Sequence, residues 1–472
     1  MLFLGEKTAV TKFRPYVPEQ LLLLPPNLKD WIKEGHLALF ISDTVDVLDL
    51  SDLFAGYEHE TDRGNLAYHP AMMLKVLLYG YCVGVMSSRK IEKACWDDIA
   101  FRVLSADQHP EFNSIARFRK RHLKALSNLF KQVLKLAQQA GLVKLGVVAL
   151  DGTKIKANAS KHKAMSYERM VESEKRLEKE IAEILNRAQA VDKDEDLRYG
   201  ADKLGDELPQ ELARRETRLA TIQKAKAALE EEAWLLAEAE RKERLKKEKN
   251  KKNNGGRPPK GNSGATKQTD KTAVPDPKAQ RNFTDPESRI MWNTNTKSFE
   301  QSYNVQAVVD SEAQMIVAAS VTQEGNDKQQ LVPMVRELRR NIKEDPETIL
   351  ADSGYCSDKN LTNKSLEGIE LLIPPNREKH GKSVPITPKG RIPKNLSVTQ
   401  RMKRKLQTVK AKALYKRRKS IVEPVFGQIK HAGGFRQFLL RGIQNVSHEW
   451  ELICLTHNIK KMFRKGWKPA VI

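Results

Sequence analysis

The chain predicts a mixed α/β fold, preceded by an α-helical domain and interrupted by one long helical insertion. Three observations predict it. Short β-rich runs, "VVAL" at 147–150, "YNVQAVVDS", "QMIVAASVTQ", "ETILADSGY" and "EGIELLIPP", alternate with helical segments. Apolar residues repeat at three- and four-residue spacing through 67–140. Between 166 and 250 the chain changes to long charged helices, and the strand pattern resumes only afterwards.

Taken in order, residues 1–66 form an N-terminal arm. Its "LLLLPP" is far shorter than the roughly 20 residues that span a bilayer, and it lacks the basic segment and cleavage site of a signal peptide. Residues 67–142 read as a helical domain built from "AMMLKVLLYGYCVGV", "SSRKIEKACWDDIAFRVL" and "SIARFRKRHLKALSNLFKQVLKLAQQAGL", with Gly141 ending the last helix. The run "RFRKRH" suits a helix-turn-helix-like DNA contact through Arg117, Arg119, Lys120 and Arg121; the alternative is a packing domain with a solvated basic face.

Residues 143–165 are the first part of the sheet domain. Residues 166–250 are two amphipathic helices around "GADKLGDELP", with Pro209 in a first helical turn, and read as an antiparallel hairpin for spacing or oligomer contact. Residues 251–285 form a basic tract with almost no apolar content, too poor in buriable surface to order itself, and read as a flexible linker. Its "GGRPPKG" resembles short hooks that enter the minor groove, although a plain linker explains it as well. Residues 286–472 complete the sheet domain and end in helices.

Charge narrows the partner. The 472 residues carry 83 Lys plus Arg against 60 Asp plus Glu, a formal charge of +23. Such an excess favours a polyanion, because each cation that meets a phosphate releases counterions. Nucleic acid comes first; an anionic membrane is weakened by the lack of any spanning apolar run, so a cytoplasmic protein is expected. Cys82, Cys95, Cys356 and Cys454 lack zinc spacing and read as buried, reduced thiols.

Three carboxylates stand out. Asp151 ends the first strand, Asp352 ends the fourth, and Glu423 lies in "SIVEPVFGQIK". Each has a plain reading: Asp-Gly as a turn aiming Asp151 outward, "DSG" as another turn, and Glu423 as a residue at a helix start. Acidic strand ends on one sheet edge also converge, and two unit charges at 4 Å repel by about 4 kcal/mol at an effective dielectric near 20. A divalent cation reverses that sign, and all-oxygen ligands point to Mg²⁺ or Mn²⁺, with two ions able to act on a phosphodiester. The segment 401–419 holds ten Lys or Arg and no acid, and beside Glu423 reads as a phosphate-tracking surface. Lys154 and Lys156, just past Asp151, are further phosphate candidates, and His431 is a modest one. Trp292 reads as a half-buried core residue rather than a platform for a base.

The combination "ALDGTKIKANAS", "NVQAVVD", "ILADSGY" and "IVEPVFGQIK" resembles the DDE transposases of bacterial insertion sequences, and most closely the group whose founder is numbered eleven-eighty-two. "AMMLKVLLYGY", "SSRKIEKAC" and "FNSIARFRKRH" are similar to that group's helical domain, and the match spans most of 65–460. The resemblance implies a ribonuclease H-like catalytic core in which Asp151, Asp352 and Glu423 hold two Mg²⁺ ions. It implies cleavage at the terminal inverted repeats, strand transfer into target DNA, and a homodimer or higher oligomer on DNA near the nucleoid. It also implies phosphate contacts around the glutamate. Lys430 keeps the Glu-x6-Lys spacing. Tyr415 and Arg418 keep Tyr-x2-Arg but lie one residue further from Glu423 than in the family pattern, which leaves Arg417 and Lys419 as alternatives. A nuclease without strand transfer and a DNA-binding protein with a relic core are the competing readings.

Overall fold

The structure, a computed structural model, describes residues 15–16, 27–57, 66–199, 210–253, 273–293, 296–376, 390–391, 393 and 395–469. "LLLLPP", "GADKLGDELP" with Pro209, and "GGRPPKG" lie outside the described residues. The chain divides into two compact units, one formed by Met1–Lys156 with Tyr303–Ile472 and the other by Ala157–Ser302.

Among the described residues the first unit opens with seven α-helices: α1 (Leu37–Asp46), α2 (Ser51–Phe54), α3 (Pro70–Val83), α4 (Ser88–Asp97), α5 (Ile99–Leu104), α6 (Phe112–Arg121) and α7 (Leu123–Gln139). Residues assigned from the sequence to an N-terminal arm thus include α1 and α2. α1 buries Ala38, Phe40, Ile41, Thr44 and Val45 and packs on α3. α3 starts with Pro70, whose missing N–H costs nothing in a first turn, and stops at Gly84 in the left-handed conformation. Its residues from Pro70 to Cys82 are buried, which is why it shows no polar face. Asp98 caps α5 by accepting the Ala100 and Phe101 N–H groups. Along α7, Leu126, Leu129, Phe130, Val133, Leu134 and Ala137 form one buried stripe against α14, introduced below.

The sheet begins with β1 (Val147–Lys156), and the second unit then supplies β2 (Ala164–Ser166), α8 (Tyr167–Tyr199), α9 (Gln210–Asn253), β3 (Gln280–Asn282) and β4 (Arg289–Asn293). There follow β5 (Ser298–Asp310), β6 (Ile316–Thr322), α10 (Leu331–Ile342), β7 (Thr348–Ala351), α11 (Asp358–Leu361), β8 (Glu370–Leu372), α12 (Val398–Leu406), α13 (Val409–Gly427) and α14 (Ile443–Arg464). In the first unit the strand order is β6-β5-β1-β7-β8. β1, β7 and β8 are parallel, and β6 is antiparallel to β5. The Ser311 N–H donates to the Val147 carbonyl, so the end of β5 lies beside the start of β1 and that pair is antiparallel.

Strand β1 corrects one expectation. It runs straight through Asp151–Gly152 to Lys156, so the Asp-Gly pair is not a turn. The extension has partners: the Lys156 N–H donates to the Arg436 carbonyl and the Phe438 N–H to the Lys156 carbonyl. Ladder bonds from residues far along the chain hold the strand extended past its apolar run, and no local pattern shows them.

Helix α14 is the hub of the first unit. It is buried along most of its length and packs on α7, α3 and β6. Its Asn458 amide accepts from the Ile316 N–H and donates to the Ile316 carbonyl, as a neighbouring strand would. Its Trp450, fully buried, donates its indole N–H to the Gln306 carbonyl. Cys82, Cys95, Cys356 and Cys454 are buried and unbridged.

In the second unit α8 and α9 pair antiparallel: Lys226 bonds Glu174 and Arg215 bonds Glu180, so rising numbers on one helix meet falling numbers on the other. Met170, Leu177, Ile222, Ala225 and Leu229 form their seam. The carboxy-terminal end of the segment read as a linker pairs as a strand, with β2 matched to β3 from Ala164↔Asn282 to Ser166↔Gln280. Trp292 is not a core residue. It is 44% exposed and stacks edge-on against its cross-strand partner Phe299.

Candidate active site

The register of two parallel strands brings the aspartates together. β1 pairs with β7 from Val147↔Thr348 to Leu150↔Ala351, so Asp151 and Asp352 are the next residue on each strand. Adjacent parallel strands lie about 4.8 Å apart, which makes the two carboxylates neighbours. Asp352 also caps a short 3-10 turn, Ser353–Tyr355, by accepting the Gly354 N–H at 2.8 Å. The turn reading of "DSG" is therefore correct, and the same turn fixes the carboxylate beside Asp151.

Glu423 comes from α13, which packs on both β1 and β7. It does not start a helix, because α13 runs from Val409 through Pro424 to Gly427. Pro424 has no N–H to give the Ser420 carbonyl one turn earlier, and the Gln314 side chain supplies that bond instead at 2.8 Å. A wider π turn, Gln428–Ala432, follows before Gly433 and Gly434.

Arg418, also on α13, ties Asp151 to Glu423. One guanidinium nitrogen lies 2.9 Å from Asp151 Oδ2 and another 3.6 Å from Glu423 Oε1. Of the alternatives left open by the sequence, Arg418 faces the acids, while Arg417 and Lys419 are exposed. Tyr415, one turn earlier on α13, is half-buried and lies near enough to Arg418 to raise its pKa. The Asp151 carboxyl is pushed up to about 6; burial is the main cause, Arg418 opposes it, and Asp352 adds to it. One guanidinium does not balance these acids.

Lys430 turns toward β1, donating to the Thr153 hydroxyl and to the Lys154 carbonyl at 2.9 Å. Burial lowers its ammonium to about 8. Lys154 is half-buried beside it, the Lys156 side chain is exposed, and His431 bonds to Arg436. Among the described residues, no three acidic or metal-ligating side chains close on one point in this arrangement.

Four side chains that the sequence reading passed over complete the surroundings. Asn304 and Gln306 donate to Asp327 Oδ1 at 2.8 and 2.7 Å, and Tyr355 donates to Gln306. The available signal was "YNVQ", where polar residues occupy alternate positions, hence one face, of a strand otherwise buried.

The basic run of α6 separates into two faces. Arg117, Lys120 and Arg121 are exposed together with Lys124, and the Arg121 guanidinium lies over the Tyr57 ring at 4.7 Å. Arg119 is the correction: it is buried and donates to the Tyr81 hydroxyl and the Met86 carbonyl, each at 3.1 Å, so it faces the core and not DNA. Helical geometry requires this, since residue 119 lies on the same side as Ile115 and His122.

Comparison with known proteins gives the class first. A family model described as Transposase domain (DUF772) matches residues 26–121, and one described as Transposase DDE domain matches residues 269–459. The chain is a transposase. More particularly, the second match places it among the DDE transposases of insertion sequences. The DDE match contains Asp352 and Glu423 but begins after Asp151, so the place of Asp151 in the site rests on strand register and the Arg418 contact. No curated protein and no solved structure matches the chain. Among the described residues, no single helix is long and apolar enough to cross a membrane.

Proposed function

We propose that the chain binds the terminal inverted repeats of its element through the helical domain, cuts the DNA ends, and joins them to target DNA at a site formed by Asp151, Asp352 and Glu423. The observation that carries this reading is the register of β1 and β7, which sets two aspartates side by side within reach of Arg418 and Glu423. The strand order β6-β5-β1-β7-β8, with three antiparallel members and then parallel ones, supports a ribonuclease H-like core.

The donor set suits Mg²⁺, with Mn²⁺ as a substitute. All three ligands are hard carboxylate oxygens, and a half-compensated, half-buried aspartate gains when a divalent charge arrives. Two such ions would activate a water or a 3′-hydroxyl and stabilise the departing oxygen. The chain's own part is to hold these carboxylates at fixed strand and helix positions. Arg418, Lys430 and the exposed cations of 401–419 then bind phosphates on either side of the scissile bond. Arg417, Lys419 and Lys156 track the backbone further out, and Arg117, Lys120 and Arg121 hold the repeat. Two DNA ends are brought together by a homodimer or larger assembly.

Asp151→Asn, Asp352→Asn and Glu423→Gln are each expected to lower Mg²⁺-dependent cleavage of a terminal-repeat duplex by about 100-fold or more, with binding to that duplex unchanged. Full cleavage in any one variant sinks the assignment. The same plasmid assay reads joined products, whose absence alongside normal cleavage favours a nuclease that does not transfer strands.

A further inference from the structure

Gln306 lies on β5 beside β1, fully buried, and its amide makes a bond at every corner. Its oxygen accepts from the Tyr355 hydroxyl; its nitrogen donates to Asp327 Oδ1 at 2.7 Å and to Asn304 Oδ1 at 3.2 Å. Asn304 in turn donates to Asp327 Oδ1 at 2.8 Å and to the Glu324 carbonyl at 3.0 Å. Tyr355 is also fully buried and closes the turn that carries Asp352. Asp327 begins the approach to α10, where its carbonyl accepts from the Gln330 N–H.

The two glycines that follow the aspartates show what this cluster does. A Cβ on Gly152 would sit 2.3 Å from Gln306 Nε2 and 2.9 Å from Asp327 Oδ1. A Cβ on Gly354 would sit 2.9 Å from Asp352 Oδ1 and 3.5 Å from Asp327 Oδ2. Neither glycine has a positive φ, so close approach and not backbone conformation requires them here. The amide cluster therefore presses on the backbone directly after Asp151 and, through Tyr355, on the turn that begins with Asp352.

We propose that Gln306 is a positioning residue for the acidic pair, setting the separation of Asp151 and Asp352 by tying Tyr355 to Asp327 across the two glycines. A buried amide with its bonds made is rigid, and one left half-bonded is costly, so the cluster has one favoured geometry. Gln306 acts through the aspartates and does not itself reach a phosphate or a cation. The inference rests on the reading of Asp151 and Asp352 as cation ligands.

Its test is Mn²⁺ affinity of the full chain without DNA, by electron paramagnetic resonance, alongside an unfolding curve for each variant. Gln306→Leu keeps the volume and removes the bonds, and weakens Mn²⁺ binding by about tenfold or more, the usual size for groups that orient metal ligands. Tyr355→Phe removes one hydroxyl, folds even if Gln306→Leu does not, and weakens Mn²⁺ binding in the same direction by a smaller factor. Asp151→Asn serves as the reference. If it abolishes Mn²⁺ binding while Gln306→Leu and Tyr355→Phe keep wild-type affinity, even with lowered stability, the cluster is mere packing and this inference alone fails. If Asp151→Asn binds Mn²⁺ as tightly as wild type, the cation assignment falls and the inference with it.

Discussion

In two basic helices, α6 and α13, one arginine of each run turns inward, and the partners it meets there separate the two regions. Arg119 and Arg418 are 8% and 9% exposed, so burial does not distinguish them. Arg119 meets neutral oxygens, the Tyr81 hydroxyl and the Met86 carbonyl. Arg418 meets Asp151 and Glu423. A buried cation hydrogen-bonded only to neutral oxygens is a structural tie, because neither bonding partner changes charge during a reaction. One that spans two carboxylates must yield part of that contact when a cation binds them or a phosphate binds the guanidinium, and under the function proposed above it takes part in the chemistry. Identical residue types in similar runs thus serve different ends, and the partner decides.

The largest expected effect breaks this contrast at Arg418. Arg418→Ala is expected to lower cleavage by about 100-fold, equivalent to about 2.7 kcal/mol at the barrier, with terminal-repeat binding nearly unchanged. Arg418→Lys should recover little of that loss, since an ammonium cannot present two nitrogens to two carboxylates. A single-turnover assay at saturating DNA measures both, and wild-type rates in the alanine variant would reduce Arg418 to a tie like Arg119.

A smaller effect, and of another kind, is expected at Arg119. Arg119→Met should cost about 2 kcal/mol of stability through its lost bonds, leaving the cleavage rate of folded protein unchanged. The deficit should also depend on pH through Glu449. Burial pushes that carboxyl up to about 7, against two backbone N–H donors and the Arg119 charge. A folded value above the unfolded one means that its contribution to stability is complete below about pH 4.3 and is lost as pH rises through 7. Above 7 the group is a buried anion that needs Arg119; at pH 5 it is neutral and does not. Urea unfolding at pH 5 and 8 should therefore show the larger deficit at pH 8, and equal deficits would remove Glu449 from the explanation.

How far these sites were legible follows from the same residues. That Asp151, Asp352 and Glu423 lie in one neighbourhood was legible in outline, because the apolar runs before the two aspartates and the basic helix leave local patterns. The extended course of β1 could not, because it depends on ladder bonds from 436–438, and the Asp-Gly pair carried a stronger local signal for a turn. Arg119 was misassigned for want of helical phase: in "IARFRKRH" the apolar Ile115 and Phe118 already mark the buried side, on which residue 119 falls and residues 117, 120 and 121 do not. Gln306 and Asp327 escaped because their meaning lies in contacts to two glycines, and a glycine required by close approach looks in sequence like a glycine required by a turn. α1 and α2 were missed because their apolar residues pack on distant elements, α3 for α1 and α7 for α2, and the charged and proline-bearing stretches around them resembled an arm.

The smallest effect per residue belongs to the outward faces, where α6 and α13 are most alike. Arg117, Lys120 and Arg121 lie at spacings of three and four, a single stripe able to follow one strand of phosphates. Each phosphate neutralised contributes about 0.9 to the slope of log affinity against log salt. Replacing all three with alanine should lower that slope by about 2.7 on terminal-repeat DNA, with stability lowered by no more than about 1 kcal/mol through loss of the Arg121 contact with the Tyr57 ring. Arg417→Ala with Lys419→Ala should lower it by about 1.8 at most, and equally on unrelated DNA if, as proposed, α13 follows the backbone near the cut and not the repeat. Fluorescence anisotropy across a salt series on the two duplexes separates the two variants. If the α6 variant loses affinity equally for repeat and unrelated DNA, its stripe is a general phosphate surface, and recognition of the repeat must lie on another part of the chain.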